Sequence, residues 1–122
     1  MEFVPPETFL SVAASIMPNL RRGSSANRRN RRFRSCFGTT PDTCADLWFL
    51  CYNHFRPTTR PVHLLWALMF MKNYDTEENN TSRAGVHEDT FRDWVWHIIR
   101  IISNVNYVII FLRNYLINVF SD

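Results

Sequence analysis

The sequence predicts an all-α fold: a compact bundle of five to six short helices containing a helix-turn-helix, with a basic, disordered or loosely helical N-terminal arm. Three observations carry this expectation. Only Gly23, Gly38 and Gly85 are glycines among 122 residues, too few for the tight hairpins of a small β-sandwich or barrel. Hydrophobic residues make up 46% and aromatics 15%, enough for one core to offset chain entropy. Beyond Phe33 the apolar residues recur at helical spacing, with capping residues between the runs.

Composition divides the chain into a leader and arginine-rich arm (1–32), a helical domain (33–104) and an apolar C-terminal helix or truncated tail (105–122). The leader carries Pro5, Pro6 and Pro18 and has room for one short helix around Thr8 to Met17. Glu2 and Glu7 stand where a secretory leader would be positive, and no continuous apolar run follows them. The odd set Cys36, Cys44 and Cys51 then points to a reducing, intracellular compartment. The sequons at Asn79 and Asn80 read as chance matches. The apolar stretch from Trp94 is broken by His97, Arg100, Asn104, Asn106, Arg113, Asn114 and Asn118, so a membrane span is not expected.

Arg21, Arg22, Arg28, Arg29, Arg31, Arg32 and Arg34 put seven arginines into fourteen residues without one acid. The seven Lys and Arg elsewhere face all eleven acids, a balance of −4 within a total of +3. Positive charge is therefore concentrated in the arm. Arginine presents a planar fork that grips phosphate in a bidentate way. Each phosphate neutralised releases counterions and gives salt-sensitive, sequence-independent affinity. Nuclear import is compatible with that reading, and a merely solvated linker is the bland alternative. Gly23, Ser24 and Ser25 are expected to keep the front half loose.

Local chemistry then sets out the helices in order. Phe33 to Phe37 ends one that Gly38 can close in a left-handed cap. Thr40 caps the next, with Pro41 at its first position and a buried stripe of Cys44, Leu47, Trp48, Cys51 and Phe55. Arg56 to Thr59 is a turn and Pro61 starts another helix. From Val62 to Met71 all but His63 is apolar, which predicts a central helix wrapped on all sides. Asp75 and Glu78 form a capping box for a short polar helix from Thr76 to Ala84. Gly85 stops it, and a longer helix runs from about His87 to Asn104.

A short helix, a tight turn and a long helix form the layout of a helix-turn-helix. Phe91, Trp94, Val95, Ile98 and Ile102 make its buried stripe. Arg92, Trp96, Arg100 and Ser103 lie on the opposite face, with Asp89, Asp93 and His97 beside them. Thr90, Arg92, Trp96 and Arg100 are the candidates to approach a groove of double-stranded DNA. A helical hairpin with Arg92 and Asp93 in surface pairs is the structural alternative. Glu88 and Asp89 suit a helix N-terminus but would limit its approach to phosphates.

Four blocks resemble, in order, the N-terminal helical region of Harbinger-like DDE transposases. They are Phe33-Arg34-Ser35-Cys36-Phe37-Gly38-Thr39-Thr40-Pro41-Asp42-Thr43-Cys44-Ala45-Asp46-Leu47-Trp48, Pro61-Val62-His63-Leu64-Leu65-Trp66-Ala67-Leu68, Lys72-Asn73-Tyr74-Asp75-Thr76-Glu77 and Gly85-Val86-His87-Glu88-Asp89-Thr90-Phe91-Arg92-Asp93-Trp94. The resemblance covers about 70 residues. It implies a helix-turn-helix module that binds transposon DNA, ahead of a catalytic domain whose acidic residues hold two metal ions. Two departures stand out: His87 replaces an expected capping Asp or Ser, and the likeness fades after about Val105. The chain ends at Asp122 before any catalytic domain, so the resemblance implies DNA binding without catalysis.

Cys44, Cys51, His54 and His63 could supply zinc ligands, but their spacing fits no zinc module, and the core stripe already accounts for both cysteines. No phosphate-cradling glycine loop or nucleophile elbow is present. The expectation is a DNA-binding module in the nucleus with no catalytic residues, metal or cofactor. The alternative is a helical interaction protein, dimerising or holding a helical partner through the apolar tail that begins at Val105 and reaches Phe120.

Overall fold

The computed structural model describes residues 3–18, 20, 25–73, 81, 82 and 84–120, with the backbone alone at 73 and 106–120. Its described helices are α1 (Pro6–Ile16), α2 (Ala26–Phe37), α3 (Pro41–Cys51) with a 3-10 turn at Tyr52–His54, α4 (Pro61–Asn73) and α5 (Glu88–Phe120). Among the described residues there is no strand, as the glycine scarcity implies.

Caps explain several of the boundaries. Thr40, in extended conformation, accepts the Thr43 N–H on its hydroxyl while Pro41 opens α3; the missing proline N–H lies where no helical partner exists. Gly38 closes α2 at φ 78° and donates its N–H to the Arg34 carbonyl (2.8 Å), a left-handed cap that a Cβ would strain. Gly85, at φ 72°, ends the helical turn before α5 and bonds the Thr81 carbonyl (2.9 Å). The capping box at Asp75 and Glu78, and the helix it would open, fall largely outside the described residues.

The core is centred on α4, as its unbroken apolar run implies. Every residue from His63 to Met69 is buried, and α1, α2, α3 and α5 all pack on this helix. Leu64, Leu65, Ala67 and Met69 are fully enclosed. Cys44, Trp48 and Cys51 present the expected stripe of α3 to that core, with Leu47 packed at its edge; Phe55, expected on the same helix, is also buried but lies beyond α3, in extended conformation after the 3-10 turn. Phe91, Val95, Ile98 and Ile102 do the same from α5, while Trp94 is half-buried beside them. Each large side chain enclosed in this way contributes about 1.5–3 kcal/mol.

Three expected boundaries shift. The leader is part of the core rather than an appendage: Phe9, Ala13, Ile16 and Leu20 are buried, and α1 packs on α3 and α4. Its helix starts at Pro6, two residues before the expected Thr8, because proline fits the first helical turn. The boundary between 32 and 33 falls inside α2, whose Phe33 and Phe37 hold the second half of the basic arm against α4. The helix expected to stop near Asn104 continues to Phe120, since no proline or glycine interrupts residues 88–120.

Candidate nucleic-acid interface

Seven of the twelve residues of α2 are arginine or asparagine, and two aromatics attach the helix. Phe33 and Phe37 are four residues apart, buried, with ring centroids 4.6 Å apart. The Ser25 hydroxyl accepts the Arg28 N–H and caps the start. α2 contains no acid, although cations near a helix N-terminus oppose the backbone dipole. Arginine's high helix propensity and the aromatic anchor outweigh that cost, which is a few tenths of a kcal/mol, up to about 1, per charge.

Helical geometry sorts the expected arginines. Arg28, Arg31 and Arg32, with Ser35, stand at i, i+3, i+4 and i+7 and line one open recess of about 360 Å³. Arg29 turns partly inward, its Nε shielded from solvent. Arg34 is exposed next to the Phe33 anchor. Arg21 and Arg22 lie outside the described residues.

The outer face of α5 is different in kind. Thr90, Arg92, Trp96 and Arg100 are all exposed, as the sequence implies. Trp96 is 41% exposed and sets its edge against Phe70 of α4, with centroids 6.0 Å apart. Acids accompany this face. Asp89 lies 3.6 Å from Arg92 one turn away, and Asp93 pairs with an arginine from another part of the chain.

That arginine is Arg56, in the loop between α3 and α4. Its guanidinium grips Asp93 in a bidentate fork (2.7 and 3.1 Å) and lies over the Trp94 indole at 5.1 Å. The hydrogen bond from Arg56 holds the Asp93 carboxyl below the usual carboxylate range. The Arg56 backbone N–H donates to His97 Nε2 (3.1 Å), and the Arg60 N–H donates to His63 Nδ1 (2.9 Å). His63 also stacks flat on Trp94, 3.8 Å between centroids at 4°. Both imidazoles are acceptors and so must be neutral at those nitrogens. Burial, then the neighbouring Arg60 and His97, lowers His63 to about 4. Burial and Arg56 also lower His97. One loop is thus tied to α5 and α4 through two histidines, an ion pair and an indole.

Sequence reasoning missed this cluster. Asp93 and His97 stand one turn apart on α5, a pairing visible in the sequence, but their partner Arg56 lies 37 residues from Asp93. Cys44 and Cys51 are core thiols pushed up by burial to about 12 and about 11, poor thiolate donors. Among the described residues no three His, Cys, Asp or Glu side chains gather into a metal-holding group, and no helix is long and apolar enough to cross a membrane.

Comparisons with protein-family models, with curated proteins and with solved structures find no match to this chain.

Proposed function

We propose that this chain is a DNA-binding module, derived from a transposase of the Harbinger-like kind, that works in the nucleus and has no catalytic activity of its own. The observation that supports this best is α2. It holds five arginines on a capped, anchored helix that contains no acid. Such a helix gives phosphate contact without the entropy cost of ordering a loose arm on binding. Arg21 and Arg22 precede it and extend the charge. Thr90, Arg92, Trp96 and Arg100 on α5 are the candidates to approach the groove, and the four resembling blocks are the ground for the transposase ancestry.

The test is binding to a labelled duplex across salt concentrations. A steep negative log–log slope is expected, about 0.9 per phosphate contacted. Arg92→Ala should cost on the order of 1–3 kcal/mol on a preferred sequence and little on random DNA if α5 reads bases. A flat salt dependence removes the reading. The second reading, a helical protein-interaction domain, draws on the unbroken helical backbone of α5 to Phe120. A salt-insensitive complex or homodimer that needs residues 105–120 would favour it.

A further inference from the structure

We propose that the recess on α2 is a phosphate-binding site, in which the guanidinium forks of Arg28, Arg31 and Arg32 and the Ser35 hydroxyl seat individual phosphate groups. It rests on the DNA-binding reading and deepens it, because it assigns affinity to three named arginines rather than to the arm's total charge. The geometry points to a shaped site. The four side chains share one face, and seven residues of helix space Arg28 and Ser35 about 10 Å apart along the axis, room for more than one phosphate oxygen to be held at once. Among the described residues, these four line the recess, which is about 360 Å³ and open. All four lining groups can donate hydrogen bonds, none of the four carries negative charge, and α2 supplies no carboxylate to compete. The helix is held from behind by Phe33 and Phe37, so the forks project from a fixed backbone. Arg29, with Nε turned away from solvent, and Arg34 beside Phe33 do not line the recess.

The ligand class is a phosphate bearing at least two free oxygens, of which a nucleic-acid backbone and a free phosphate ion are two sources. Arginine and lysine differ here in shape and not in charge: the fork donates two parallel hydrogen bonds and an ammonium cannot. Replacing Arg28, Arg31 and Arg32 together by lysine leaves the net charge at its present value and keeps helix propensity high.

The experiment measures anisotropy of a labelled 20-base-pair duplex with the full chain, the triple variant R28K/R31K/R32K and the control R60K, at an exposed arginine outside α2, with circular dichroism to show that each is folded. In parallel, NMR of arginine side chains in the wild-type chain follows titration with inorganic phosphate. The expected result is that the triple variant binds the duplex on the order of tenfold or more weakly, as loss of bidentate geometry implies, while the control stays within about twofold. Phosphate should then shift the Nε–Hε signals of Arg28, Arg31 and Arg32 ahead of Arg29 and Arg34. Equal binding by the triple variant and the wild type overturns the site and leaves the DNA reading standing on bulk charge. A wild-type chain that ignores the duplex overturns the DNA reading. Selective phosphate shifts would then still support the site, with a free phosphate as its source, and uniform or absent shifts would overturn it too.

Discussion

Two of the described helices, α2 and α5, carry arginines, pack on α4 and present cations to solvent, yet they are built on opposite electrostatic plans. α2 has five arginines and no acid. On α5 the exposed cations are interleaved with Asp89 and Asp93, one beside Arg92 and the other gripping Arg56. A balanced surface helix is a good way to stay folded and soluble, since intrahelical and cross-loop pairs offset their own field. An acid-free arginine helix weakens its own N-terminal turn and offers its charge to a partner of opposite sign. The comparison teaches that arginine count says little, and that the acids placed beside the arginines say more.

The largest effect is expected where both helices share their support. Leu65→Asp puts an unpaired carboxylate into the fully enclosed centre of α4, and its desolvation has nothing to offset it. The chain should lose its helical circular dichroism and its cooperative melting; a variant that keeps both would refute α4 as the common support. Phe33→Ala separates the two helices, because it empties one of the two anchors of α2 and leaves α5 untouched. A cost of about 3–5 kcal/mol is expected, with amide exchange rising first across 26–37. Equal exchange across α5 would show that the anchor is not local.

Acid should act on the α5 side through His63. Its folded pKa, about 4, lies below the ordinary 6.5, so the unfolded chain binds the proton first as pH falls. Stability is therefore fully present above about 6.5, declines between 6.5 and 4, and loses about 3 kcal/mol in all. A denaturant midpoint that stays level across that window, with His63→Gln behaving as wild type, would break the assignment. The smallest effect is the most direct probe of the comparison. Asp89→Asn removes the acid beside Arg92 and makes α5 more like α2, so duplex affinity should rise by about twofold to tenfold at low salt and converge with wild type at high salt. No rise would mean that this face does not meet the duplex.

What was legible in the sequence was local. Thr40 and Pro41, the stripe from Cys44 to Cys51, the apolar length of α4 and the stop at Gly85 each depend on residues within a few positions of one another, and each stands where those residues indicate. Two other features depend on the third dimension. The leader's Phe9, Ala13 and Ile16 are correctly spaced for a helix, but nothing nearby in the chain says that α3 and α4 lie against them. The pairing of Arg56 with Asp93 joins a loop to a helix across 37 residues, and the neutral state of His63 follows from its burial and from the Arg60 N–H it accepts. The candidate arginines were legible as a set. Their division into Arg28, Arg31 and Arg32 on one side and Arg29 on the other needed the helix to be fixed in azimuth by Phe33 and Phe37.

The continuity of α5 has a mechanical consequence. Thirty-three residues in one helix make a rod about 50 Å long, gripped by the core through Phe91, Val95, Ile98 and Ile102 near one end. The distance and rotational phase of Phe120 are therefore dictated from Phe91. One residue inserted after Val105 would advance everything beyond it by about 1.5 Å and swing it through about 100°. Three or four inserted together would nearly restore the original heading. A partner engaged at the far end would thus feel insertions by their remainder against the helical repeat rather than by their number, as the teeth of a gear register a turn.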